Sequence, residues 1–304
     1  MTYVSISDWL KKTFGQKIYR LSLSTGCSCP NRDGKSGFGG CVFCSEGGSG
    51  DFASPPEDIQ IQIERAKKLV DKKFPHTIPQ DERRYIAYFQ SFTNTYAAPE
   101  KLEPIFMSAI KRNEIVALSI ATRPDCLPPD IVEMLSRLNK IKPVWVELGL
   151  QTVHESTAEK INRCYPLSVF EDAYSRLKKA GLYVVVHVIL YLPGETKDDM
   201  LSTADYLSRL DPVLDGIKIQ LLHVLRGTPL EKIYREKPFH LPTLEEYCSF
   251  IPEYISHLDP RTVIHRLTGD GPKRILIAPT WTADKKRVIN ALKKSVEEYE
   301  PPVL

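Results

Sequence analysis

The residues best equipped for chemistry crowd one segment. Cys27, Cys29, Cys41 and Cys44 fall within Gly26-Cys-Ser-Cys-Pro-Asn-Arg-Asp-Gly34 and Gly37-Phe-Gly-Gly-Cys-Val-Phe-Cys44, while Cys126, Cys164 and Cys248 stand apart. The short gap between Cys41 and Cys44 lets a single turn place both thiolates on the same metal or cluster. A third ligand then comes from Cys29 or Cys27. Gly34, Gly37, Gly39 and Gly40 allow the backbone to fold tightly around an inorganic core. If all four cysteines bind, the site is a closed tetrahedral zinc knuckle with a purely structural role. If three bind a four-iron cluster, one iron keeps an open coordination position, which permits chemistry.

Such a loop needs elements to hold it. Apolar, β-branched runs predict strands near Ile18–Ser24, Tyr85–Gln90, Ile115–Ala121, Val144–Leu150, Tyr183–Tyr191 and Gly216–Leu222. Amphipathic stretches predict helices over Glu100–Arg112, Pro129–Lys140, Lys197–Leu210 and Lys285–Glu298. Capping-box spacing at Ser54-Pro-Pro-Glu57 and at Ser168-Val-Phe-Glu171 marks two more helix starts. The first continues with Ile59, Ile63, Ala66 and Val70 on one face, and the second stops at Gly181. Alternation of this kind implies parallel strands joined by right-handed crossovers. The expected fold is α/β: a partial (β/α)6 barrel over residues 1–237, then a small helical C-terminal extension over 238–304. In parallel barrels the loops after the strands carry the chemistry. The cysteine loop follows the first strand, so its position favours a cluster over zinc.

The other strand ends supply polar candidates. Gln90-Ser-Phe-Thr-Asn-Thr95 follows the second strand, where a polar cluster serves either a ligand or an ordinary turn. Arg123, ending the third, is suited to clamp a carboxylate with two parallel bonds, or to pair with Asp125 and hold the turn. Glu147 and Gln151 are evenly spaced on the fourth strand, so both face the lumen if either does. In Pro193-Gly-Glu-Thr196, Gly194 makes a turn and Thr196 caps the next helix. His187, inside the fifth strand, reads as a satisfied core histidine. His223, Arg226 and the segment His265-Arg-Leu-Thr-Gly-Asp270 are candidates to face substrate or phosphate.

Composition bounds the partners. With 304 residues, 42% hydrophobic and 26% charged, the chain is neither disordered, fibrous nor a disulfide scaffold. Its longest apolar run, Tyr183 to Leu192, is too short to cross a bilayer. The N-terminus lacks the pattern of a secretory signal, so a cytoplasmic protein with reduced cysteines and no membrane partner is expected. A net charge of +3 names no partner. Between Arg261 and Lys294, however, Arg261, Arg266, Lys273, Arg274, Lys285, Lys286, Arg287, Lys293 and Lys294 face only Asp270 and Asp284. That stretch is a candidate phosphate-facing surface, or a solvated helix face.

Taken with these motifs, the chain resembles the radical S-adenosylmethionine (SAM) superfamily. Cys29-Pro-Asn-Arg-Asp-Gly34 followed by Gly39-Gly-Cys-Val-Phe-Cys44 looks like a bacterial branch whose first cysteine gap is enlarged to eleven residues. The catalytic subunit of Elongator, a tRNA wobble-uridine modifier, has a loop of the same style, and the resemblance covers nearly the whole chain. It implies a [4Fe–4S] cluster on Cys29, Cys41 and Cys44, leaving Cys27 outside the pattern, and SAM bound beside it. By the same resemblance Phe43 packs near the adenine, and Gln90, Thr93 and Asn94 occupy the place that meets the methionine amino group. Glu147 and Gln151 correspond to groups that meet the ribose or carboxylate, Arg123 joins this cofactor-binding set, and the backbone at Gly194 approaches adenine. No second ligand cluster is formed by Cys126, Cys164 and Cys248, which argues against methylthiotransferase-type enzymes. The implied activity is reductive cleavage of SAM to a 5′-deoxyadenosyl radical, converting 5-carboxymethylaminomethyluridine to 5-aminomethyluridine in tRNA. Flavodoxin or ferredoxin would be the electron donor. The competing readings are a radical SAM enzyme acting on a small molecule, and a zinc-stabilised RNA-binding adaptor.

Overall fold

In a computed structural model of the chain, residues 3–48, 55–269 and 271–300 are described. The apolar runs become β1 (Tyr19–Leu23), β2 (Tyr85–Phe89), β3 (Ile115–Thr122), β4 (Val144–Gln151), β5 (Tyr183–Leu190) and β6 (Gly216–Leu221), each within one residue of its expected ends. Beyond them lie the short β7 (Val224–Leu225), then β8 (Val263–Arg266) and β9 (Leu276–Ala278). Seven strands form one sheet in the order β1-β2-β3-β4-β5-β6-β8, every pairing parallel. Strands covered on both faces need near-continuous apolar sequence, and all of β2 is buried.

The helices pack outside the curl. They are α1 (Ile6–Phe14), α2 (Ile59–Val70), α3 (Pro99–Ile110), α4 (Pro129–Asn139), α5 (Glu155–Lys160), α6 (Leu167–Lys179), α7 (Lys197–Ser208), α8 (Pro229–Glu236), α9 (Leu244–Ser256) and α10 (Lys285–Glu298). On α3, Leu102, Phe106, Ala109 and Ile110 are fully buried, and Phe106 meets Phe89 of β2 edge to face at 4.9 Å. Each large apolar side chain so buried contributes about 1.5–3 kcal/mol.

Two expected helix starts are corrected. α2 begins at Ile59 because the Asp58 carboxylate accepts from the backbone N–H groups of Gln60 and Ile61. Glu57 instead pairs with Arg65, and Ser54 lies outside the described residues. α6 starts at Leu167, behind Pro166, with no side-chain cap. Ser168 is therefore already helical, and Glu171 accepts from the Tyr206 hydroxyl at 2.9 Å. Gly181 does lie at a left-handed stop, with φ of +73°.

The larger surprise is β8. It comes from the stretch expected to be a helical extension, yet its backbone joins β6 and extends the sheet. Four residues, half of them polar, are too few for a periodic signal. α1 was also unanticipated, although Ser5 caps its start and Gly15 ends it in the left-handed region. It plugs the lower end of the curl. Leu10 and Trp9 pack on Ile18, Ile86, Ala117 and Trp145, and the two indole rings meet edge to face at 5.6 Å. The opposite end stays open.

Candidate active site at the carboxyl ends of the strands

The open end is a cavity walled by Cys29, Cys41 and Cys44, with Phe43, Gln90, Thr93, Arg123, Glu147 and Gln151. Cys27 does not line it and packs into the hydrophobic core at 8% exposure. The cysteine loop is held from below by asparagines. Asn31 donates to the Asn162 carbonyl at 2.5 Å and to Cys41 Sγ at 3.6 Å, while Asn162 donates to the carbonyls of Phe38 and Gly40. A side chain at Gly37 would start 2.3 Å from Asn31 Oδ1 and 2.7 Å from Cys164 Sγ, so only glycine fits there. Cys164, isolated in sequence, thus stands against the loop.

Cys41 and Cys44 share one hydrogen bond, which lowers the Cys41 thiol and, with burial, raises that of Cys44. The hydrogen bond with Cys44, together with Arg123, Asn31 and Arg32, holds the Cys41 thiol down to about 7 against its burial. Among the described residues no three His, Cys, Asp or Glu side chains converge closely enough to hold one ion. A tetrahedral zinc ion with ~2.3 Å bonds would need sulfurs about 3.8 Å apart, whereas a four-iron cluster spreads three thiolates over separate irons.

Backbone strain concentrates at the same face. Six described non-glycine residues have positive φ: Ser91 and Phe92 after β2, Gln151 ending β4, Tyr191 after β5, and Asn162 and Cys164 in the turn bracing the cysteines. Such conformations cost ~1–3 kcal/mol each and persist where the surroundings impose them. Thr93, held by this strained turn, is 1% exposed and its Oγ1 has no hydrogen-bond partner among the described residues. An orphaned hydroxyl on a cavity wall is a place for a ligand's polar atom.

Other expected residues behave differently. Asn94 accepts from the Thr25 N–H and hydroxyl and donates to the Ser91 and Ala121 carbonyls, so its amide is fully engaged in the turn and does not line the cavity. Arg123 turns its Nε and Nη2 on Asp125 with bonds of 2.9 and 2.8 Å, and its Nη1 donates to the Arg163 carbonyl. It contributes charge to the cavity rather than a free fork. Gln151 folds its amide nitrogen back towards the Gly149 and Leu150 carbonyls. Gly194, at φ of +91°, lines a second cavity with Tyr191, Thr196 and His240. Thr196 caps α7 through a full capping box with Asp199. His223 lines the main cavity; Arg226 is exposed, and Asp270 lies outside the described residues.

Beneath the cysteines lies a charged network of which the sequence marked only Glu147 and His187, each by itself, and missed Lys218. Glu147, 1% exposed, accepts from Ser119 at 2.6 Å and from Lys218, and its other partner is His187 Nε2 at 2.7 Å. Lys218 also donates to the Tyr88 oxygen at 3.0 Å and sits over that ring. Lys218 and His187 hold the Glu147 carboxyl well below the usual range against the opposing effect of burial. Burial pushes Lys218 down to about 7, with Arg20 and Arg266 adding to the effect of desolvation. Burial also takes His187 down to about 4, so it stays neutral. His187 is therefore a member of the cavity floor rather than a plain core residue. Arg163, missed in sequence, is 1% exposed and donates to the Leu150, Thr152 and Tyr165 carbonyls, holding the end of β4 in place.

The cysteine-lined cavity and curled parallel sheet correspond to a known family. The model of the radical SAM superfamily matches residues 25–207 and that of the radical SAM C-terminal domain matches 214–298. The chain is 41% identical over 296 residues to the protein YtqA of Bacillus subtilis (strain 168), covering 97% of this chain and 89% of that one. It is 24% identical over 287 residues to Elongator complex protein 3 of Schizosaccharomyces pombe, covering 82% of this chain and 51% of that one. Among solved structures, archaeal Methanocaldococcus infernus Elp3 with an N-terminal deletion shares the fold at a TM-score of 0.62 and 19% identity. The alignment covers 76% of this chain and 59% of that one. The chain belongs to the radical SAM superfamily.

The cofactors of that family are a [4Fe–4S] cluster and SAM. Three thiols on one wall, a depressed Cys41 thiol and the orphaned Thr93 hydroxyl fit them. The protein is thus a radical SAM enzyme, which sets aside the zinc adaptor. Among the described residues no helix is long and apolar enough to cross a membrane.

Proposed function

We propose that this radical SAM enzyme acts in the cytoplasm on tRNA, converting 5-carboxymethylaminomethyluridine at the wobble position to 5-aminomethyluridine. Cys29, Cys41 and Cys44 hold the cluster, and Thr93 with Gln90 receives polar groups of SAM. When bound, cluster and SAM together supply a 5′-deoxyadenosyl radical able to take hydrogen from an unactivated carbon. The chain's own part is to orient and to exclude water. Phe43, Ile189 and Leu222 give the cavity an apolar portion, and Glu147, His187 and Gln220 give it a polar one. An electron donor such as flavodoxin or ferredoxin completes the scheme.

The observation that carries the tRNA reading is the basic rim. Pro272 lines the cavity, and the next two residues, Lys273 and Arg274, are exposed. α10 buries Val288, Leu292 and Val296 and leaves Lys286 and Arg287 of its first turn exposed, while Lys293 lies within electrostatic reach of Asp8 on α1. Exposed cations beside the mouth of a deep cavity suit a polyanion whose one base enters. The likeness to Elongator supports the same reading. Nucleoside mass spectrometry of bulk tRNA from parent and deletion cells tests it. Accumulated 5-carboxymethylaminomethyluridine with depleted 5-aminomethyluridine is expected, and unchanged wobble uridines would reject it in favour of a small-molecule substrate.

A further inference from the structure

The lumen below the cysteine loop carries more positive charge than it can neutralise. Polar side chains from all seven strands of the sheet form it: Arg20, Tyr88, Ser119, Glu147, His187, Lys218 and, from β8, His265 with Arg266. All but Arg266 are linked in a chain. Arg20 Nη2 lies 3.0 Å from His265 Nδ1 and its guanidinium faces the Tyr88 ring, whose hydroxyl in turn accepts from Lys218. Lys218, Ser119 and His187 converge on Glu147. Burial keeps both histidines neutral, as each is pulled below its ordinary value. Arg20, Lys218 and Arg266 therefore face a single carboxylate among the described residues.

Glu147 is spent on Lys218. Arg266 lies directly across from Lys218 in the β6–β8 register, an arrangement of like charges that costs stability in a sheet. Its guanidinium lines the cavity and makes no hydrogen bond or ion pair with any described residue. Arg20 meets only neutral groups, His265 and the Tyr88 ring, and its Nε is buried without a partner. Uncompensated charge at this depth is retained only if something else offsets it.

We propose that Arg266 receives a carboxylate of the substrate, with Arg20 and Lys218 supplying the surrounding positive field. This rests on the cavity's being the active site and narrows the substrate to one bearing an anion next to the reacting carbon. A planar carboxylate matches the free guanidinium fork. SAM itself carries a carboxylate, so the experiment must separate the two sources.

Reconstituted, SAM-loaded holoenzyme is titrated with N-benzylglycine, benzylamine and phenyl phosphate, followed by saturation-transfer NMR. The wild type is expected to favour N-benzylglycine over benzylamine by about tenfold, as a charge-assisted pair of bonds would give. In Arg266→Gln that preference falls to about onefold, Arg266→Lys keeps part of it, and the SAM dissociation constant changes less than about threefold. Absence of the preference in the wild type, or its persistence in Arg266→Gln, overturns the proposal. SAM binding weakened about tenfold in Arg266→Gln also overturns it by assigning the guanidinium to the cofactor. Tighter binding of phenyl phosphate than of N-benzylglycine does so in favour of a phosphate. None of these readouts uses tRNA, so unchanged wobble uridines in deletion cells would reject the tRNA substrate while leaving the anion site to stand or fall by itself.

Discussion

At the scale of single residues, four crowded cysteines divide by where their side chains end up. Cys29, Cys41 and Cys44 face one cavity and Cys27 faces the core. Replacing any of the first three by alanine is expected to abolish iron retention in anaerobically reconstituted protein, measured by iron content and the visible absorption of the cluster. Cys27→Ala is expected to retain iron, and loss there would redraw the ligand set. Thr93 offers a second check at this scale, because its buried hydroxyl lacks a partner. Thr93→Val keeps the shape and removes the hydroxyl, so SAM binding measured by calorimetry should weaken about five- to tenfold, the value of one hydrogen bond. Arg123 teaches the opposite lesson. Its sequence position suited a carboxylate clamp, and its neighbour Asp125 took both arms of the fork.

At the scale of elements, the strands do two jobs at once. Their outward faces bury apolar side chains against the helices, while the inward positions of β4, β5 and β6 carry Glu147, His187 and Lys218. A buried ion pair is sensitive to the loss of one member. Lys218→Met strands the Glu147 carboxylate, and chemical denaturation should show a loss of about 3–5 kcal/mol, most of it regained in Glu147→Leu/Lys218→Met. The histidines add a pH dependence. His187 takes up a proton near 6.5 when unfolded but only near 4 when folded. Between those values the unfolded chain binds more protons, so stability rises with pH through this window and is lost as pH falls towards 4. His187 alone accounts for about 3 kcal/mol of that change, at ~1.4 kcal/mol per pH unit. Urea titrations from pH 4 to 7 should show a shallower slope in His187→Asn, with His265, shifted in the same direction, and the lowered Glu114 and Glu147 carboxyls contributing to what remains.

At the scale of the whole molecule, the C-terminal stretch serves both the barrel and its rim. β8 completes the sheet and delivers Arg266, the chain between β8 and β9 brings Pro272 to the cavity mouth, and α10 closes the surface with basic residues outward. If this border meets an RNA backbone, Lys285→Ala/Lys286→Ala/Arg287→Ala should weaken tRNA binding and reduce its salt dependence. The logarithmic salt slope should fall by up to about 2–3 units, close to one for each phosphate that the three cations neutralise. An unchanged affinity and slope would make these charges a solvated helix face.

Much of this was legible along the chain because it depends on neighbours a few residues apart. Six apolar runs, the spacing of Cys41 and Cys44, the Thr196 cap and the Gly181 stop are local signals, and each appears in the structure where it was expected. Glu147, interrupting the apolar run Val-Trp-Val, also pointed to a lumen, whereas His187 read as a satisfied core histidine. Which polar residues would meet there was not written locally. The pairing of Lys218 with Glu147, the arrival of Arg266 on a four-residue strand, the bracing of the cysteines by Asn162, and the choice of Cys29 over Cys27 for the cavity wall all join segments distant in sequence. Those pairings exist only once the sheet curls, because the curl is what turns separate strands into facing walls and removes the water between them.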